Sequence, residues 1–244
     1  MKTRLILSFI ASVSLIGYAD DIEQALEEEK QAQTATAITI IFDTSGSMEE
    51  ENKMAEAKSA FSTWLKELPT TYSLGLLDFA QGSGRVVVPI GRGDGQRDSI
   101  AGHVSGAKPY GKTPIVQCLQ LAREAIAKRR EEFSPYERHV VVVFTDGYET
   151  VDPNGTRGVL KEILALRSEI VEVVGIGFHG QGAYMKPAAT RYMEADNEQE
   201  LVQSLLEVDA EIGDDTDIEI TDKDLAAMQA LKAIRQVAPG GETE

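Results

Sequence analysis

Asp43, Ser45 and Ser47 stand two residues apart in Asp43-Thr44-Ser45-Gly46-Ser47, directly after the apolar run Ile38 to Phe42. A carboxylate and two hydroxyls presented from one turn are hard oxygen donors that can converge on a small cation. Two more oxygens occur in comparable settings. Thr113 lies in Lys112-Thr113-Pro114, ahead of a stretch with helical apolar spacing, and Asp146 lies in Thr145-Asp146-Gly147, just after the run Val140 to Phe144. The five offer two carboxylates, which balance a divalent charge, and three neutral hydroxyls, which fill much of an octahedral shell around an ion such as Mg²⁺. A coordination position left open accepts a carboxylate from a partner, helped by the positive ends of helices starting near Ser47 and Thr113.

For these residues to meet, the elements that carry them must end together. Ile38 to Phe42 and Val140 to Phe144 are nearly continuous apolar runs, as expected of strands covered on both faces. Ser47 with Glu50 has capping-box spacing, and the helix it opens places Met54, Ala57, Phe61, Trp64, Leu65 and Leu68 on one face before Pro69 ends it. Tyr72 to Ala80 and Arg85 to Ile90 read as a hairpin-like pair of strands. A short helix is expected over Gln96 to Val104. Thr113-Pro114 reads as a hydroxyl cap with proline at the first helical position, and the stripe Ile115, Cys118, Leu119, Ala122 and Ile126 follows. A helix near Gly158 to Arg167, strands at Ile170 to Phe178 and Arg191 to Glu194, and a helix over Glu198 to Ile212 complete the series. Alternating strands and helices predict an α/β fold: a doubly wound, mainly parallel central sheet with helices on both faces and one antiparallel edge strand. Ligands of such Rossmann-like sheets bind beyond the carboxyl ends of the strands, where the winding reverses.

Asp43-Thr44-Ser45-Gly46-Ser47, then Thr113, then Thr145-Asp146-Gly147 resemble the metal-ion-dependent adhesion site of the von Willebrand factor type A family. The resemblance runs from about Ile38 to Glu211, and Val174-Gly175-Ile176-Gly177-Phe178 is similar to the family's late core strand. It implies Mg²⁺, or Mn²⁺ or Ca²⁺ in its place, on the top edge of the sheet. It further implies a protein ligand presenting an Asp or Glu carboxylate. Ser45, Ser47 and Thr113 would ligate directly, and Asp43 and Asp146 directly or through water. Lys112 is bulkier than the small residue often found before that threonine. Tyr110, Lys112, Tyr148, Glu149 and His179 are the expected rim.

Other chemistries fit less well. Gly106 to Thr113 matches the phosphate-loop pattern G-x-x-x-x-G-K-S/T, but no buried strand leads into it and Pro114 falls where the helix should already run. Paired aspartates of a protease need two Asp-Thr-Gly-like turns, and Thr145-Asp146-Gly147 has the order reversed. No G-x-S-x-G occurs, and His103, His139 and His179 lack zinc-ligand spacing. The reading is therefore a non-enzymatic binding module, with a purely structural metal site as its alternative. Arg92-Gly93-Asp94 spells an integrin-recognised tripeptide, read as coincidence.

The net charge of −16 over 244 residues argues against nucleic acid and anionic membrane as partners. One cysteine, Cys118, excludes a disulfide framework. Residues 1–19 read as a secretory signal, with Lys2 and Arg4 before an apolar centre and Gly17-Tyr18-Ala19 at its end. A secreted or periplasmic protein with no membrane span after cleavage is expected. Residues 20–36 form an acidic linker or frayed helix, 37–212 the domain, and 213–244 an acidic tail with a possible short helix.

Overall fold

The first strand, β1 (Thr36–Phe42), is buried along its whole length. It runs parallel to β2 (Ser73–Ala80) on one side and to β4 (Arg138–Thr145) on the other. The computed structural model describes residues 35–214 apart from positions 81 and 135. Its sheet has six strands in the order β3-β2-β1-β4-β5-β6, where β3 is Ser83–Gly91, β5 Val171–Phe178 and β6 Arg191–Ala195. β3 pairs antiparallel to β2 at one edge, while β5 and β6 extend the parallel part at the other. The chain leaves β1 toward β2 and β3, then returns to β4 on β1's opposite flank. The winding therefore reverses between β1 and β4.

Pleating divides β1 between two cores, because successive side chains point to opposite faces. Ile38, Ile40 and Phe42 pack with α1 (Lys53–Glu67), α2 (Asp94–Gly106) and α5 (Glu198–Asp214). Ile41 packs with α3 (Ile115–Glu132) and α4 (Thr156–Ser168) on the other face. Beneath the carboxyl end of the sheet the first core is aromatic. Phe42 meets Phe61 edge-on at 4.9 Å, and Phe61 meets Trp64 and Phe144 at 5.7 and 5.3 Å. Such pairs contribute roughly 0.5–1.5 kcal/mol each beyond their buried area, which stiffens the ground on which the loops stand.

Two expected helix starts take another form. Ser47 lies in a 3-10 segment, Gly46–Asn52, with no side-chain capping bond, and left-handed Glu51 and Asn52 (φ +50° and +64°) join it to α1. α3 begins at Ile115 with Pro114 in the cap position and no hydroxyl cap. The Ser47 hydroxyl bonds instead to Asp146, as described below. α2 is longer than expected and opens at Asp94 after Gly93 (φ +103°), so Arg92-Gly93-Asp94 is a helix entry. The signal segment 1–19, all but the last two residues of the 20–36 linker, and nearly all of the 213–244 tail lie outside the described residues. Among the described residues no helix is long and apolar enough to cross a membrane.

Candidate metal centre

Loops leave the carboxyl edge of the sheet after β1 and β4, and the connection between α2 and α3 meets them there. The three are fastened to one another largely through their backbones. The Asp43 N–H donates to Phe144 O at 3.2 Å, which places the first loop against the end of β4. Tyr110 N–H donates to Thr44 O at 2.9 Å and Gly46 N–H to Gly111 O at 3.0 Å, docking the second loop on the first. The third loop joins the second through Thr113 N–H to Thr150 Oγ1 at 2.9 Å and Thr150 N–H to Thr113 O at 3.1 Å. Thr44 Oγ1 adds a tie to β2, donating to Phe79 O and accepting from Phe79 N–H, both at 3.2 Å.

Within this frame the five oxygen-bearing side chains come together. Asp43 is fully buried; its Oδ1 accepts the Ser45 N–H at 2.7 Å and its Oδ2 the Thr145 hydroxyl at 2.6 Å. Ser45 Oγ lies 3.1 Å from Ser47 Oγ, and Ser47 Oγ donates to Asp146 Oδ1 at 2.7 Å. The Thr113 hydroxyl shares the space in front of Gly147: a Cβ there would lie 3.8 Å from Ser47 Oγ and 3.9 Å from Thr113 Oγ1. Ser47 thus bonds across the site instead of capping a helix.

Electrostatics favour a cation here. Burial, with the Asp146 carboxylate added, pushes Asp43 up to about 6 against the opposing hydrogen bonds from Ser45 and Thr145. Two buried carboxylates beside three neutral hydroxyls fit a hard divalent ion in donor type and in charge. Among the described residues no group of three or more His, Cys, Asp and Glu side chains is placed to hold a metal, so any ion here must rely on the hydroxyls.

Several participants carry no local sequence signal. Thr145 holds Asp43, and Thr150 holds the Thr113 backbone. Lys53, the first residue of α1, puts Nζ 3.0 Å from Asp146 Oδ2. Its signal is positional: a cation where the helix dipole disfavours one.

The rim residues separate into two groups. Tyr110, Lys112 and Tyr148 are exposed beside the donors, and Tyr148 stacks on Tyr184 at 5.2 Å. His179 sits farther along the edge after β5, in a left-handed turn (φ +51°), within 3.5 Å of Glu51 and 3.6 Å of Glu56. Glu149 is buried beneath the rim, its carboxylate accepting the N–H groups of Val116, Val151 and Asp152. It braces the loops and does not face outward. Gly106 is the last residue of α2, so the segment to Thr113 follows a helix and lacks the strand a phosphate loop requires.

An open doubly wound sheet with oxygen donors converging at its switch point defines the class. Residues 38–149 match the family model of the von Willebrand factor type A domain. The match and the fold together support a domain of that family. YwmD, an uncharacterised protein of Bacillus subtilis (strain 168), is 28% identical over 199 residues, which are 72% of this chain and 85% of that one. A von Willebrand factor type A structure from Catenulispora acidiphila superposes with a TM-score of 0.62 at 18% identity, covering 73% of this chain and 42% of that one. Proximal thread matrix protein 1 from the mussel byssus, with a zinc-occupied MIDAS motif, gives 0.55 at 20% identity over 79% and 46% of the two chains. Manganese-loaded TRAP protein of Plasmodium vivax gives 0.54 at 19% identity over 71% and 72%. At these identities the structures speak for the fold alone. The chain spans less than half the length of the first two of these structures.

Proposed function

We propose that this chain is an exported von Willebrand factor type A module that binds a divalent cation through Asp43, Ser45, Ser47, Thr113 and Asp146. Through that cation it recruits a protein presenting an Asp or Glu carboxylate. The observation that carries the reading is the convergence of these side chains at the switch point between β1 and β4, with Ser47 bonded across to Asp146. Fold neighbours carrying manganese and a zinc-occupied MIDAS motif support a divalent cation, and Mg²⁺ is the ion the all-oxygen set suits. The bound cation would supply a Lewis-acidic position for an incoming oxygen. The chain's own groups orient the hydroxyls, position the two carboxylates and keep the loops in register. The Tyr110, Lys112 and Tyr148 rim borders that position, and the activity is binding, not catalysis.

The test is thermal unfolding of the full chain. Mg²⁺ should raise the melting temperature, EDTA should reverse the rise, and Asp43→Ala and Asp146→Ala should each abolish it. Melting curves indifferent to Mg²⁺ and EDTA would sink the cation reading. Affinity capture from the protein's native surroundings in Mg²⁺ against EDTA separates recruitment from a purely structural ion.

A further inference from the structure

Lys53 is held in an improbable place. Its side chain is 9% exposed and its ammonium lies 3.0 Å from Asp146 Oδ2, while the Asp146 side chain is fully enclosed. Glu50 also approaches, at 3.9 Å, but that carboxylate is largely in solvent. Lysines are almost never buried without a partner, and a cation at a helix N-terminus faces the positive end of the dipole. Two left-handed non-glycine residues, Glu51 and Asn52, lead into it, a conformation uncommon for residues other than glycine and least suited to Glu51. Three unfavourable features are accepted to set one ammonium on Asp146. It occupies Oδ2, and Ser47 occupies Oδ1 of the same carboxylate.

We propose that Lys53 is a fixed counter-charge that matches the cation-loaded site to a carboxylate ligand. The inference rests on the divalent-cation reading above. Asp43 and Asp146 ionised against Lys53 leave the empty site one negative charge. A divalent cation turns this into one positive charge, and one incoming carboxylate brings the site to neutrality. Without the ammonium, the two aspartates alone would neutralise the cation, and an arriving carboxylate would create an uncompensated negative charge in a partly enclosed place. Lys53 therefore acts in opposite directions on two equilibria: it repels the metal and favours the anion. A lysine that merely stabilised the fold would not couple the two.

The experiment uses the full chain as wild type, Lys53→Met and Lys53→Arg. Mn²⁺ affinity is measured by calorimetry, and acetate binding to the Mn²⁺-loaded protein by loss of water-proton relaxation enhancement. Lys53→Met should bind Mn²⁺ at least ten-fold more tightly and acetate at least ten-fold more weakly, with Lys53→Arg close to wild type. Lys53→Met should also melt lower than wild type in EDTA, because Asp146 loses its partner. If Lys53→Met does not fold, Lys53→Gln, which keeps a donor for Asp146 without the charge, must show the same opposed changes. Wild-type Mn²⁺ binding with unchanged or parallel shifts in the neutral variants would overturn the proposal and leave the cation reading standing. Wild type that binds no Mn²⁺ would overturn both.

Discussion

Glu149 Oε2 accepts the Val116 N–H at 2.7 Å, so the carboxylate in the loop after β4 caps α3, the helix that follows Thr113. Its Oε1 takes the N–H groups of Val151 and Asp152 at 2.6 and 3.0 Å. One buried side chain thereby satisfies three backbone donors in two segments. Glu149→Ala should lose on the order of 2–3 kcal/mol in urea unfolding, because buried donors are left unpaired. Glu149→Gln, which keeps an acceptor, should lose less. An alanine variant with a wild-type midpoint would contradict this role.

Thr145 holds Asp43 from behind, donating to Oδ2 at 2.6 Å and accepting the Gly147 N–H at 3.1 Å. Groups that orient a ligand carboxylate typically alter metal affinity 10- to 100-fold. On the proposed cation site, Thr145→Val should weaken Mg²⁺ binding about ten-fold or more, read by calorimetry, while Thr145→Ser stays near wild type. Equal affinities for valine and serine variants would show that the hydroxyl does not serve the site.

His139 sets an acid limit on stability. It is buried on β4 with both ring nitrogens lacking hydrogen-bond partners, and burial lowers it to about 4, helped by Arg130 and Arg129 and opposed by Glu137. The unfolded histidine titrates near 6.5. Between about pH 6.5 and 4 the unfolded chain binds a proton that the folded chain refuses, so stability falls as the pH falls through that window. His139→Phe removes this component. The pH profiles of urea-unfolding stability for wild type and variant should diverge below pH 6.5, by roughly 2–3 kcal/mol at pH 4.5. Parallel profiles would refute it.

Gly177 on β5 has no room for a side chain: a Cβ would fall 1.9 Å from Gln181 O and 2.1 Å from the Tyr192 hydroxyl. Gly177→Ala must push backbone apart next to the site's edge. It should cost about 3 kcal/mol or more, the upper range of overpacking, and lower the melting temperature sharply. Gly102→Ala, a position with nothing within 4 Å, is the control and should melt at or above the wild-type temperature.

Apolar pattern made the fold legible. The runs that become β1 and β4 are buried on both faces, and Met54, Ala57, Phe61, Trp64, Leu65 and Leu68 all turn inward as their spacing requires. The five oxygen-bearing side chains stood out in the sequence because four follow the apolar runs of β1 and β4 and the fifth precedes a helical stripe. What they bond did not. Ser47 and Thr113 each carry a strong local capping signal, yet Ser47 bonds Asp146, 99 residues away. A capping bond competes with tertiary partners of similar strength, and sequence shows only the local competitor. Lys53 offered only its position at a helix start, and its partner stands 93 residues off. Glu149 resembled a rim residue because it adjoins Tyr148, but alternation in an irregular loop turns one outward and the other in.

The backbone stitches Tyr110 to Thr44, Gly46 to Gly111 and Thr113 to Thr150 use main-chain atoms on five of six sides. The side chains at the crests of these loops, Tyr110, Lys112 and Tyr148, carry none of that fastening. Substitutions at these three crests leave the main-chain frame beneath them intact. The loop frame and the surface it presents are therefore built from separate sets of atoms.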